Sequence, residues 1–118
     1  MFILDLTLPT PAENLAVEES LLDACEAGGP EVLRFWTPAT PAVILGYANR
    51  LRREVNEEVC ASEQIPILRR CSGGGAVAQM PGCLDYALIL RVDRAPDLAG
   101  IGSTNRYVLE RLCRALEP

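Results

Sequence analysis

Apolar and polar residues largely alternate at the start of the chain, and the pattern then changes to helical spacing. The alternation predicts a strand over residues 2–8, and Thr10-Pro11-Ala12-Glu13 predicts the first turn of a helix. Threonine caps such a turn, proline fits its first position, and glutamate can bond back to the cap. The glycines and proline at residues 28–30 predict the end of this helix. Glu18 and Glu19 are expected to face solvent.

Five short apolar segments in the rest of the chain predict further strands. These segments cover residues 32–36, 42–46, 67–70, 76–79 and 84–91. The first two flank a turn at residues 38–41 and are expected to pair as a hairpin. Helices are predicted over residues 54–63 and 108–116. We therefore predict an α+β domain with a mainly antiparallel sheet, in which hairpins rather than βαβ crossovers connect the strands.

Composition places the chain among ordinary globular proteins and narrows its partners. Its 118 residues suffice for one domain or part of one, with 49% hydrophobic and 23% charged residues. The net charge of −5 leaves no basic stripe to replace the counterions of a nucleic acid, so no nucleic-acid partner is predicted. Neither a signal peptide nor an apolar run of membrane-spanning length occurs, which predicts a cytoplasmic protein with no membrane partner.

The residue types that are missing exclude several kinds of chemistry. All 11 cationic residues are arginine, and the chain has no lysine and no histidine. A histidine general base, a Schiff-base lysine and a histidine metal ligand are therefore excluded within the chain. The five cysteines are odd in number and form no C-x-x-C pair, so we predict neither a metal site nor a disulfide framework.

The segment with the clearest chemical content is residues 69–77, Arg-Arg-Cys-Ser-Gly-Gly-Gly-Ala-Val. Apolar flanks predict a strand, a glycine loop and a second strand. Glycines let a ligand approach main-chain N–H groups closely, and an arginine adds a fork-shaped donor for phosphate or carboxylate. The segment is neither a Walker loop nor the dinucleotide-binding fingerprint. It predicts an anion site, and the alternative is a flexible turn beside a solvated arginine pair.

This segment and three others together resemble the lipoate–protein ligase A family, within the broader group of biotin and lipoate ligases. The segment matches the family pattern R-R-x-S-G-G-G-A-V. The other matching stretches are Asn14-Leu15-Ala16-Val17-Glu18-Glu19, then Val43-Ile44-Leu45-Gly46 with Asn49 and Val55-Asn56, and finally Pro81-Gly82 with Leu84 and Tyr86. The resemblance extends over nearly the whole chain and implies the class II synthetase-like fold of these catalytic domains.

The resemblance implies a two-step reaction that consumes ATP, with Mg²⁺. The carboxylate of lipoate or octanoate attacks the α-phosphate of ATP, which gives an acyl-adenylate and pyrophosphate. The acyl group then passes to a lysine of a lipoyl carrier domain, in a 2-oxoacid dehydrogenase or a glycine cleavage H-type protein. The residues implied to contact ATP or the acyl-adenylate are Arg70, Gly75, Ala76, Val77 and Ala78. Those implied to form the acyl pocket are Ser72, Gly73, Gly74 and Asn49.

The chain departs from the family pattern in three ways. An aromatic-His-Asp run is replaced by Ala78-Gln79-Met80, which is expected to remove polar groups near the nucleotide. Cys83 and Asp85 stand where the family has asparagines. The family's catalytic lysine lies in its second half and has no counterpart here. We therefore expect residues 1–118 to be the N-terminal part of a single catalytic domain, with its catalytic residue unknown.

Two other functions fit the same residues. One is an octanoyl or lipoyl acyltransferase that acts through a cysteine thioester, with Cys71 as a candidate nucleophile if Arg69 and Arg70 lower its pKa. Relatives of that kind carry their nucleophilic cysteine in their later half, and Cys71 is otherwise a packing residue. The other is a non-catalytic pseudo-ligase that binds an acyl group or a nucleotide. The sequence does not distinguish lipoate from octanoate or name the carrier.

Overall fold

The described residues combine helices with two small sheets, which confirms the α+β class. The computed structural model describes residues 1–117. Its strands are β1 (Phe2–Asp5), β2 (Val32–Trp36), β3 (Ala42–Leu45), β4 (Ile67–Arg69), β5 (Val77–Gln79) and β6 (Asp85–Ile89). Its helices are α1 (Pro11–Glu26), α2 (Leu51–Glu54), α3 (Glu57–Ser62) and α4 (Ile101–Leu116), with two 3₁₀ turns at Val92–Arg94 and Pro96–Leu98.

The strands form two three-stranded sheets, in the orders β1-β2-β6 and β4-β3-β5. The middle strand of each sheet has one parallel and one antiparallel neighbour. The predicted hairpin of residues 32–36 and 42–46 is wrong, because β2 and β3 are the middle strands of different sheets. Both parallel pairs are joined through helices, so βαβ crossovers are present where hairpins were predicted. A buried middle strand pairs on both edges, and local sequence does not specify its partners.

The ends of α1 follow the predicted signals. Thr10 Oγ1 accepts from the Glu13 N–H at 3.2 Å, and the Glu13 carboxylate accepts from the Thr10 N–H at 2.9 Å, which completes a capping box. At the other end Gly28 takes a φ of +98° and donates to the Cys25 carbonyl, while Gly29 donates to the Ala24 carbonyl. These two bonds form a Schellman motif, which requires a residue that tolerates positive φ.

A buried arginine fastens α1 to the first sheet. Arg34 on β2 has no exposed surface, and its guanidinium donates to the carbonyls of Leu6 and Asn14 at 2.8 Å each. The Asn14 carboxamide accepts from Arg34 at 2.6 Å and donates to the carbonyls of Leu8 and Thr10 at 2.9 Å. A buried charge needs this degree of hydrogen bonding. The network therefore fixes the segment between β1 and α1 against β2.

The last helix covers little apolar surface. It runs from Ile101, earlier than the predicted segment, and none of its residues is buried. The element that α4 contacts most is the second 3₁₀ turn. Ile101, Leu109 and Leu116 are among its exposed apolar side chains. Within residues 1–117, no helix has the length and hydropathy needed to cross a membrane.

Candidate functional site

The glycine loop joins β4 to β5, and Arg70 braces it from within. Its Nε and Nη2 donate to the Gly73 carbonyl at 3.2 and 2.6 Å, and Nη2 also donates to the Gly75 carbonyl at 2.8 Å. Nη1 lies 3.4 Å from the carbonyl oxygen of Ile44 on β3. Arg70 thus binds the loop's own carbonyl groups, which the sequence did not reveal.

These hydrogen bonds from Arg70 leave main-chain N–H groups of the loop on its opposite side. A planar trans peptide points its N–H opposite to its C=O. Because the Gly73 carbonyl faces Arg70, the Gly74 N–H faces away from that guanidinium. The Ser72 carbonyl likewise accepts from the Tyr47 N–H at 2.9 Å, which turns the Gly73 N–H outwards. Neither amide has an acceptor in the described part of the chain, and adjacent free amides suit an anion.

Two glycines allow the loop to lie directly on the end of β3. A Cβ atom on Gly46 would overlap the Gly74 carbonyl oxygen. Gly74 itself has a φ of +93°, and a Cβ there would come within 2.9 Å of Arg70 Nη2. By contrast, a Cβ on Gly73 or Gly75 would meet open space. The loop conformation therefore requires Gly46 and Gly74, while the other two glycines leave room beside the loop.

The turn after β3 is held by Arg69 and Asn49. Arg69 Nη1 donates to the carbonyls of Gly46, Tyr47 and Asn49 at 2.8, 3.0 and 2.9 Å. Asn49 Oδ1 accepts from the Gly46 N–H at 2.6 Å. Arg69 is therefore a structural arginine. Asn49 has a clear role in the turn, and its assignment to an acyl pocket stays a prediction.

A cavity of about 500 Å³ opens beside the loop, bordered by α1, β3, β5, β6 and α4. Among the residues predicted for the site, Arg70, Ser72 and Val77 line it. The remaining predicted residues do not line it, namely Asn49, Gly73, Gly74, Gly75, Ala76 and Ala78. Apolar side chains supply much of the rest of the wall, including Leu15, Leu22, Ile44, Leu88 and Ile89. The cavity combines an apolar wall with an arginine at its edge, which suits an aliphatic acid.

Glu18 is a cavity residue whose predicted exposure to solvent is wrong. It was expected to face solvent, but it lines the cavity, half-buried, and its Oε1 accepts from Trp36 Nε1 at 2.7 Å. The same oxygen lies 3.6 Å from Arg34 Nη1. Burial raises the pKa of Glu18, against the lowering effects of the Trp36 hydrogen bond and the Arg34 charge. Glu18 lies one helical turn after Asn14, on the face of α1 that covers β2. This spacing in the sequence could have indicated its burial.

Gln79 and Asp85 form a second polar pair in the cavity wall. Gln79 Nε2 donates to Asp85 Oδ1 at 2.7 Å. Burial raises the pKa of Asp85, although the hydrogen bond from Gln79 lowers it. The replacement of the family run at residues 78–80 was predicted to remove polar groups near the nucleotide, and this stays a prediction. Gln79 and Asp85 do place polar groups in the cavity wall.

Cys71 lacks the features of an activated nucleophile. Desolvation of the thiol and the nearby Glu19 carboxylate raise the pKa of Cys71, so the expected lowering by two arginines is wrong. Arg69 and Arg70 both donate hydrogen bonds to main-chain carbonyl groups instead. The residue is also exposed, which contradicts a packing role in the core.

Comparison with known proteins identifies the family of this chain. The family model for the lipoyl protein ligase A/B catalytic domain matches residues 10–117. The chain belongs to this family. It is 41% identical over 88 residues to an Aeropyrum pernix protein assigned as a lipoate-protein ligase A, covering 75% of this chain and 33% of that protein. It is 31% identical over 115 residues to octanoyltransferase LipM of Moorella thermoacetica, covering 97% of this chain and 40% of that one.

Solved structures of the family share the fold. A lipoate-protein ligase A bound with ATP superposes with a TM-score of 0.66 at 30% identity, over 73% of this chain and 35% of that one. A Thermoplasma acidophilum protein with bound lipoic acid gives the same score and identity, over 73% of this chain and 36% of that one. A bi-partite lipoate protein ligase, studied with its E2 lipoyl domain from the same organism, gives 0.65 at 30% identity, over 73% and 34%.

The chain is short beside these proteins. It spans between a third and two-fifths of the length of the two curated relatives described above. Membership of the family therefore establishes a lipoate ligase or octanoyltransferase type of catalytic domain, and the reaction is a matter for proposal.

Proposed function

We propose that this chain forms the acyl- and nucleotide-binding part of an ATP-dependent lipoate or octanoate ligase. In this proposal the acyl carboxylate is activated as an acyl-adenylate, and the acyl group then passes to a lysine of a lipoyl carrier domain. The supporting observation is the glycine loop, whose carbonyl groups are held by Arg70 while adjacent amides point outwards beside an apolar cavity.

The chemistry of the first step explains why such a loop is useful. A carboxylate and an α-phosphate repel each other, so their approach requires donors fixed in advance. The outward N–H groups of Gly73 and Gly74 can supply such donors without reorganisation, because Arg70 holds the peptide planes. The open space beside Gly73 and Gly75 leaves room for the acyl–phosphate linkage. The apolar wall can then hold the aliphatic chain.

The residues present fit the nucleotide only in part. Arg70, Gly75, Ala76, Val77 and Ala78 are proposed to contact ATP, but Arg70 has four of its five N–H groups near loop and strand carbonyls. Mg²⁺ would accompany ATP through the phosphates rather than through a protein cage. Arg70 is the one cationic side chain among the described residues that line the cavity, so a second cation has to come from elsewhere. We propose that it belongs to the rest of a single catalytic domain.

The proposed carrier is a lipoyl domain, and the proposed location is the cytoplasm. The T. acidophilum ligase was studied with its E2 lipoyl domain, which supports a partner of this type for the present chain. A 2-oxoacid dehydrogenase or a glycine cleavage H-type protein would supply such a domain.

The experiment is a calorimetric titration with a non-hydrolysable octanoyl-adenylate analogue. Gly75→Ala adds a methyl group in open space without backbone strain, so the fold is preserved. Gly102→Ala in α4 adds one in open space too and serves as the matched control. We expect Gly75→Ala to weaken binding roughly tenfold, through steric exclusion and loss of close approach. Equal affinities for the two variants and the wild type would contradict the proposal.

A second candidate is an octanoyltransferase that acts without ATP. Its support is the similarity to octanoyltransferase LipM over 97% of this chain. Cys71 is not activated, and no other cysteine of the described residues lines the cavity, so we propose that the thioester cysteine also comes from outside these residues. Transfer from an octanoylated carrier in the absence of ATP, by the chain joined to the rest of its domain, would favour this candidate.

A further inference from the structure

The cavity wall contains two polar residues, Gln79 and Asp85, each with one side-chain oxygen that lacks a hydrogen-bond partner among the described residues. Gln79 ends β5 and is 8% exposed, and its Nε2 donates to Asp85 Oδ1. Gln79 Oε1 and Asp85 Oδ2 are also buried, and neither has a partner among residues 1–117. Both side chains line the cavity proposed for the acyl chain. Two acceptors are therefore unsatisfied at one place in a mainly apolar wall.

Such acceptors discriminate between ligands by what the ligand can donate to them. Both oxygens are already withdrawn from solvent and unpaired, so a wholly aliphatic chain that filled the cavity would leave them unsatisfied. A chain with a hydroxyl group could donate to one of them and keep its aliphatic contacts with residues such as Ile44 and Leu88. Half-buried Glu18 adds a further carboxylate to the same cavity, which also favours a donor.

The pair lies at a useful distance from the glycine loop. Val77 and Gln79 both line the cavity and are two residues apart on β5, so they share one face of the strand. Two residues span about 7 Å along a strand. A carboxylate at the loop would therefore place the pair beside the middle or far end of a medium-length chain.

We propose that Gln79 and Asp85 form a specificity subsite that selects a medium-chain carboxylic acid carrying a hydrogen-bond donor, such as a hydroxyl group, on its chain. The inference rests on the proposed function, because it places the carboxylate end at the glycine loop. Both positions are ones at which this chain departs from the family pattern, so the preference would be a property of this chain rather than of the family.

The test compares octanoic acid with its 6-, 7- and 8-hydroxy derivatives by calorimetric titration of the full chain. We expect at least one hydroxy acid to bind roughly tenfold more tightly than octanoic acid. The double variant Gln79→Leu/Asp85→Leu removes both unsatisfied acceptors and their mutual hydrogen bond. It should lose the preference and bind octanoic acid at least as tightly as the wild type does. Met80→Leu, at a half-exposed position outside the cavity wall, is the matched control and should keep the preference.

The outcomes separate this inference from the proposed function. If the octanoyl-adenylate analogue binds but no hydroxy acid is preferred, the subsite is wrong and the function stands. A preference that survives in the folded double variant also overturns the subsite. If neither the analogue nor any acid binds, both proposals fail. If the double variant does not fold, the affinities of the wild-type chain for the four acids still test the subsite. Equal affinities for all four would contradict it.

Discussion

At the residue scale, neighbouring side chains in the sequence have separate tasks. Arg69 and Arg70 follow one another, yet Arg69 holds the turn after β3 while Arg70 holds the glycine loop. Each places its guanidinium among main-chain carbonyl groups, which a planar fork of donors can satisfy together. The arginine pair predicted as an anion site thus acts first on the protein's own backbone, and Arg70 lies at the cavity edge.

Replacing Arg70 should affect the loop and the ligand together. Arg70→Ala removes the donors that hold the Gly73 and Gly75 carbonyls, so we expect binding of the octanoyl-adenylate analogue to fall roughly ten- to a hundredfold. Arg70→Lys should restore little, because an ammonium cannot hold both carbonyls in the same geometry. Calorimetric titration checks this, with exposed Arg53→Ala as the control. Wild-type affinity in a folded Arg70→Ala variant would refute the role of Arg70.

Asp85 should make a measurable contribution to the pH dependence of stability. Its pKa is raised in the folded protein from an ordinary 3.8, so the folded state binds the proton more tightly than the unfolded chain does. Charged Asp85 therefore lowers stability above the raised pKa, and this cost disappears as the pH falls below 3.8. In urea unfolding, the stability of Asp85→Asn relative to the wild type should rise with pH through this window.

Asp93 provides a control of opposite sign. The hydrogen bond from Arg91 lowers the pKa of this exposed carboxyl below its ordinary value. Its contribution to stability is thus present above 3.8 and lost as the pH falls through the lowered pKa. The stability of Asp93→Asn relative to the wild type should fall as the pH rises. The same slope for both variants would contradict the assignment for Asp85.

At the element scale, local signals predicted the ends of helices and the positions of strands but not their pairing. The capping box at Thr10 and the glycines after α1 are interactions within a few residues, so sequence reveals them. The partners of β2 and β3 are set by tertiary packing between distant segments, and the expected hairpin failed for that reason. The predicted exposure of Glu18 was wrong for a similar reason, because its burial depends on Trp36 and Arg34, which lie far along the chain.

Asn14 should contribute more to stability than the capping residue beside it. Asn14→Ala removes one acceptor of the buried Arg34 guanidinium and leaves the Leu8 N–H without its partner, which costs about 3 kcal/mol of unfolding free energy. Thr10→Ala removes only an exposed cap and should cost about 1 kcal/mol. Urea unfolding of both variants measures the difference. Equal losses would contradict the role given to the buried network.

At the scale of the whole molecule, the two sheets and α1 place an apolar cavity beside the glycine loop. Of the residues predicted for the site, only Arg70, Ser72 and Val77 reach the cavity wall. Its other polar groups, Glu18, Gln79 and Asp85, come from segments that sequence alone did not join. Sequence thus indicated the continuous glycine loop, but it did not indicate the cavity wall, which the fold assembles from distant segments.

The chain of 118 residues is expected to bind the activated acyl group without forming it. Adenylate formation gathers negative charge at phosphorus, and Arg70 is largely engaged by carbonyl groups. Loss of one fixed donor typically costs about 100-fold or more in rate. ATP–pyrophosphate exchange with octanoate should therefore be at background for the chain by itself. Rapid exchange would contradict the need for a second cation from elsewhere.

Nuclear magnetic resonance can show directly whether the glycine loop is the acyl-nucleotide site. A ¹⁵N-labelled chain would be titrated with the non-hydrolysable octanoyl-adenylate analogue while its amide signals are followed. The largest shifts are expected on Gly73, Gly74, Gly75 and Ala76, with smaller ones at Val77 and Gln79 in the cavity wall. Saturable binding that leaves the loop amides unmoved, or no binding by a folded chain, would contradict this site.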